Sequence, residues 1–237
     1  MNRVRSLVRS LAVLTTVSLS AAGCGDGTDT PAGGSASGGE ELVGLFSLTA
    51  GACEPAPTGS YFRMVQPAGT AEAGPFVTNG DSSCADKTVT PLSPGTDGGL
   101  RTGGYQPQPE PAFDPGGNAL STAIAQPQPW FAVAFGLATN PSDPQMSSEA
   151  SAPTISVDGT ALSGDLRALA AAWNGQHFNQ GSPKPDGSRP GLTEGPTGTY
   201  NADTGAYTLD WSSQIVGGPF NNFTGLWHLE GTFTTAG

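Results

Sequence analysis

Two histidines and a few carboxylates are the residues of this 237-residue chain whose types and spacing suit chemistry. His228 and Glu230 stand two apart in Trp227-His-Leu-Glu-Gly-Thr232. On a strand, alternate residues share a face, so imidazole and carboxylate would point the same way. With His177 as a third group, the set has the donors for zinc, or for a histidine general base. Against this stands a hydrogen-bonded histidine on a sheet face beside a solvated glutamate. Asp210 and Glu230 flank Trp211 and Trp227. If their strands are neighbours, two carboxylates about 5–10 Å apart beside aromatic platforms would suit glycoside hydrolysis. The competing arrangement is solvent-facing acids opposite core tryptophans.

A third candidate is the loop Gly217-Gly-Pro-Phe-Asn-Asn-Phe223, where Phe220 and Phe223 would contact a ligand if exposed, or plug the end of the core if not. The turns at Asn201–Gly205 and Asp186-Gly187 offer oxygen ligands for calcium but lack EF-hand spacing, and Asn and Asp favour turns on conformational grounds alone. No Gly-x-Ser-x-Gly elbow, phosphate loop or HExxH motif is present. No cofactor is expected.

The elements that must position these residues read as strands. Apolar residues recur with period two in Gly59–Gln66, where Phe62 and Met64 oppose Tyr61, Arg63 and Val65. Trp130–Leu137 reads as one strand with Phe131, Val133, Phe135 and Leu137 on a single face. Thr154–Val157 and Thr160–Leu162 meet at Asp158-Gly159, which predicts a type I′ hairpin. Tyr207, Leu209 and Trp211 line one face of the next strand, and Trp227, Leu229, Gly231 and Phe233 one face of the last. Asp165–Trp173 suits either a helix capped by Asp165 or a strand aligning Leu169, Ala171 and Trp173; the flanking hairpins favour strand. Residues 85–128 are rich in proline, which cannot donate to a central ladder, and read as loop or sheet edge.

Composition agrees. Glycine (35) and proline (21) are abundant and charged residues make up only 12%, which excludes coiled coils and helical bundles. The net charge of −11 excludes a basic nucleic-acid binder. The expected fold is an all-β antiparallel sandwich or barrel with long Gly/Pro-rich loops.

Residues 1–23 read as an export signal. Arg3, Arg5 and Arg9 precede Leu11–Ala22, which is too short and too interrupted by Thr and Ser to span a bilayer. The run ends in Ala21-Ala22-Gly23-Cys24, which resembles the lipobox of bacterial lipoproteins. The resemblance implies cleavage before Cys24, lipidation of its thiol, and attachment to a bacterial membrane in an extracytoplasmic space. A diacyl anchor would hold far better than a single chain. Residues 24–41 then form a flexible tether, with 42–237 as a single β-rich domain. Loss of the three arginines takes the formal charge from −11 to −14. Cys53 and Cys84 are the remaining cysteines, and outside the cytoplasm they favour one disulfide.

The C-terminal third carries Trp173-Asn-Gly175, Ala206-Tyr-Thr-Leu-Asp-Trp211 and Trp227-His-Leu-Glu-Gly-Thr232. This pattern is similar to one in uncharacterised β-rich bacterial secreted and surface proteins. It implies a secreted β-domain and brings no activity. The sequence therefore predicts a lipid-anchored binding or envelope-interaction module, with catalysis the weaker reading. Its partners would be the membrane, through the anchor, and an envelope glycan or protein. The alternatives are a glycan hydrolase using Asp210 and Glu230, and a metal-binding lipoprotein using His177, His228 and Glu230.

Overall fold

The computed structural model describes residues 39–236. The signal segment and Cys24 lie outside them. In chain order the strands are β1 (Glu40–Glu41), β2 (Gly44–Leu48), β3 (Tyr61–Thr70), β4 (Gly74–Phe76), β5 (Thr90–Pro91), β6 (Gly99–Arg101), β7 (Gln128–Trp130) and β8 (Val133–Thr139). They continue with β9 (Thr154–Asp158), β10 (Ala161–Asp165), β11 (Leu169–Trp173), β12 (Gln176–Asn179), β13 (Glu194–Tyr200), β14 (Ala206–Gln214) and β15 (Thr224–Thr235). No helix occurs among the described residues. Pairing is antiparallel throughout.

The larger sheet runs β1-β9-β10-β13-β14-β15-β2-β6 and curls into a half-barrel. The four-stranded sheet β12-β11-β8-β7 faces it. Strand β15 organises the large sheet. One edge pairs with β14 from Thr224 to Thr232, and the other pairs first with β3 and then with β2. Where β2 takes over, Gly231 is packed so closely that a Cβ would fall onto the Ser47 carbonyl oxygen.

The core lies between the sheets. Phe46, Leu209 and Leu229 come from the half-barrel, and Phe135, Leu137 and Leu169 from the facing sheet, all buried. Phe62 links the layers, its ring centroid 5.6 Å from Phe135 and 4.3 Å from Trp227. Such aromatic pairs contribute about 0.5–1.5 kcal/mol each beyond area burial.

Several expectations need correcting. Glu40 and Glu41, assigned to the tether, pair with Val157 and Ser156 of β9. Trp130–Leu137 is not one strand. The chain reverses at Phe131-Ala132, where both residues have positive φ (50° and 63°), and Trp130 pairs with Val133 across a two-residue turn. Phe-Ala carries none of the chemistry that favours such a turn, so the sequence hid it. At the β9–β10 hairpin the turn residues are Gly159-Thr160, with Asp158 paired to Ala161 and only Gly159 at positive φ. That places glycine first, as in a type II′ turn. Asp165 ends β10, a turn follows, and only Leu169–Trp173 is strand, now in the other sheet. The proline-rich segment supplies the edge strands β5 and β6 and also the buried core residues Leu92, Leu100 and Ile124.

Candidate functional site

Alternation on β3, β14 and β15 sorts their side chains onto two faces. Trp211, Trp227 and Phe62 stand opposite one another in register and point inward, with the two indoles stacked at 5.9 Å and 11°. One residue along, Asp210, His228 and Tyr61 also stand in register, on the outer face.

The outer row is tightly connected. His228 Nδ1 donates to Asp210 Oδ1 at 2.7 Å. With Asp210 accepting, Nδ1 carries the proton and Nε2 of the neutral ring keeps a lone pair. The Tyr61 ring stacks on the imidazole, centroids 4.8 Å apart and planes 25° from parallel. Glu230 Oε2 lies 4.0 Å from Nε2 and accepts the Gly59 amide at 2.9 Å. Burial and then Asp210 hold the Tyr61 phenol above its usual range, against a lowering by Arg63 and with a lesser push upward from Glu230. Its hydroxyl therefore stays protonated at neutral pH and is both donor and acceptor.

This row floors an open cleft of about 420 Å³ whose walls include Arg63, Glu72 and Glu194. A register shift in β13 between Glu194 and Thr197 places Glu194 at the cleft. The bulge adds a residue on one strand and re-aims its side chains. Arg63 is fixed elsewhere: its guanidinium lies 3.7 Å over the Phe76 ring, and Nη2 donates to Thr88 Oγ1 at 3.0 Å. The cleft is thus richer in acceptors than in donors.

Of the residues singled out from the sequence, Asp210, His228 and Glu230 come together, with the imidazole between the two carboxylates. Trp211 and Trp227 do not join them. Both are buried (4% and 2% exposed), so neither is a platform beside the acids. His177 lies on β12 in the other sheet, its ring 4.9 Å from Phe113, so the metal set His177, His228 and Glu230 is not assembled. Burial holds the His177 imidazole below its usual range, against a smaller pull from Asp143. Among the described residues no group of three or more His, Cys, Asp or Glu is placed to hold a metal. Asn201 Oδ1 accepts the amides of Asp203 and Thr204, and Asp186 Oδ1 that of Ser188, which accounts for both as turn formers.

Phe220 and Phe223 are half-buried against the core, with Phe220 5.4 Å from Trp173 and 6.0 Å from Phe131. They pack against the core rather than project from it. Cys53 and Cys84 are bonded, Cα atoms 5.3 Å apart.

Compared with known proteins, the chain matches no family model, no curated protein and no solved structure.

Two groups were not legible as site residues. Tyr61 was recognisable only as an outward residue of its strand; its partner His228 is 167 positions away, joined by the β3–β15 register. Lys184 is buried, 2% exposed, its Nζ donating to the Asn179 carbonyl at 2.9 Å and to Ser213 Oγ at 2.6 Å. Burial lowers its amine to about 8, against opposing pulls from Asp143 and Asp186. Asp143, fully buried, accepts from Asn179 Nδ2 at 2.8 Å in the same cluster. No sequence motif marks that network.

Proposed function

We propose that the chain is a bacterial extracytoplasmic binding module, tethered by lipid on Cys24, that holds an envelope glycan in the outer-face cleft. The observation that carries this reading is the Asp210–His228–Tyr61 row. It presents planar hydrogen-bonding groups and an aromatic ring side by side on a rigid sheet. Carboxylates at Asp210, Glu194 and Glu72 are acceptors, so the ligand must bring donors. Sugar hydroxyls do this in pairs, and a neutral glycan avoids the repulsion an anionic polymer would meet from an acidic protein. The sheet beneath the row is preorganised, which lowers the ordering cost of binding.

Titration calorimetry with neutral and anionic envelope oligosaccharides tests the ligand. Saturable binding of a neutral glycan that weakens at least tenfold in Asp210→Ala supports the reading. Binding confined to anionic glycans, or unchanged by Asp210→Ala, overturns it. Membrane attachment is tested separately, by fractionating cells expressing the wild type and Cys24→Ser. Release of the variant from the membrane fraction is expected.

A second reading is favoured by the 2.7 Å Asp210–His228 contact. An imidazole oriented through Nδ1 leaves Nε2 able to take a proton from a water that attacks the anomeric carbon, while the protonated Tyr61 phenol in the same cleft gives one to the leaving sugar oxygen as the glycosidic C–O bond breaks, so the cleft would hydrolyse its glycan. Release of reducing ends by the wild type, lost in His228→Gln, would select it over simple binding.

A further inference from the structure

On the opposite side of the β3–β15 pair the core is incompletely filled. A cavity of about 40 Å³ lies between the two sheets, with Met64, Ala171 and Ile215 among its walls and Phe220 at its boundary. Three of the four tryptophans contribute to its lining, Trp130, Trp173 and Trp227. Two of these indoles are satisfied: Trp173 Nε1 donates to the Trp130 carbonyl at 2.7 Å, and Trp227 Nε1 to Gln180 Oε1 at 3.1 Å. The third is not. Trp130 is 2% exposed, and its Nε1 has no partner among the described residues. A buried donor left unpaired is costly, and its pairing is a complete accounting question.

The boundary of the cavity is itself unusual. Phe131 follows Trp130 directly and is 49% exposed, and Val216, at the start of the Phe220 loop, is 53% exposed. Phe131 and Ala132 hold the left-handed turn in which Asn-Gly would be unstrained. A bulky residue kept at positive φ points to a role beyond folding. The neighbouring loop has Gly217 and Gly218 at positive φ, and Phe220 reaches from it onto Trp130, Phe131 and Trp173.

We propose that this is a second binding site, independent of the outer cleft, for a small uncharged apolar molecule bearing one hydrogen-bond acceptor oxygen. The acceptor pairs with Trp130 Nε1, and the apolar body fills the cavity and the space that the Phe220 ring vacates on opening. With Phe220 where it stands, about 40 Å³ is room for little more than water, which is the competing occupant. A carbonyl on a single ring or short chain fits the chemistry. A charged group does not, because the walls supply no counter-charge.

The test uses 4-fluoroacetophenone and 4-fluoroethylbenzene, matched in size and differing in the acceptor, titrated against the protein by ligand-observed fluorine NMR. The ketone is expected to bind saturably and about tenfold more tightly than the hydrocarbon, as one hydrogen bond to a buried donor allows. Trp130→Phe should erase that preference while leaving hydrocarbon binding in place. Ala171→Leu, which fills the cavity, should abolish both, with circular dichroism confirming the fold. Replacing Phe131-Ala132 by Asn-Gly should raise Tm and weaken ketone binding. Absence of saturable binding, meaning water alone occupies the cavity, overturns the proposal. So does a ketone preference that survives Trp130→Phe.

Discussion

Asp210 and His228 stand directly opposite each other on β14 and β15, and His228 Nδ1 donates to Asp210 Oδ1 at 2.7 Å. Both belong to strands whose other faces carry the stacked indoles of Trp211 and Trp227. The polar row is therefore backed by buried, stacked aromatic side chains. A dyad on such a support keeps its geometry without stabilising the fold much itself.

That separation is measurable. The Asp210 side chain is 55% exposed, so the pair is well screened by solvent. A double-mutant cycle with Asp210→Asn and His228→Ala should give a coupling energy in unfolding below about 1 kcal/mol. The same substitutions should weaken glycan binding by tenfold or more. A coupling energy of several kcal/mol would mean the pair is chiefly structural.

Lys184 sets a pH dependence of stability. Its amine titrates near 8 in the folded protein and at 10.5 in the ordinary state. Below pH 8 both folded and unfolded chains hold the proton, and the cost of burying the charge is present in full. Between about 8 and 10.5 the folded state releases it first, the unfolded state binds more protons, and stability rises with pH. The full gain is about 3 kcal/mol at most. Burial pushes the Tyr207 phenol up, and that opposes the trend only above its usual pKa of 10. Urea unfolding at pH 7.5 and 9.5 should show the rise in the wild type and its loss in Lys184→Met.

Gly231 should tolerate no side chain. A Cβ there meets the Ser47 carbonyl oxygen where β15 passes from β3 to β2, and backbone cannot yield as a flexible side chain would. Gly231→Ala should cost about 3 kcal/mol or more, read as a fall in the urea midpoint. Gly159→Ala, with open space around its Cβ but positive φ, should cost about 1–2 kcal/mol.

The Cys53–Cys84 bond closes a loop with a sequence separation of 31. In the chain-entropy model this contributes about 3–4 kcal/mol. Cys53→Ser with Cys84→Ser, or reduction of the wild type, should lower stability by that amount. Little change would mean the reduced unfolded chain is already compact.

How much was legible in the sequence differs from element to element. Period-two alternation placed Tyr207, Leu209 and Trp211 on one face and Trp227, Leu229 and Phe233 on another, and those residues are buried. Alternation is local, and one strand suffices to read it. The same rule put Asp210, His228 and Glu230 on outer faces without saying which would touch. The Phe131-Ala132 turn escaped because its strain is compensated from outside: the Ala132 amide donates to Asp81 Oδ2 at 2.6 Å, and Trp173 Nε1 pins the Trp130 and Val133 carbonyls. No neighbouring residue announces such support.

The sequence by itself determined the all-β class and the faces of the long strands, because each follows from residue type and local spacing. Only the tertiary structure decided that His228 lies between Asp210 and Tyr61, that His177 belongs to the other sheet, and that Phe220 borders a cavity beside an unpaired Trp130 Nε1. Those relationships depend on strand register and sheet order. Register is set by the simultaneous packing of residues far apart in the chain, and no local pattern encodes it.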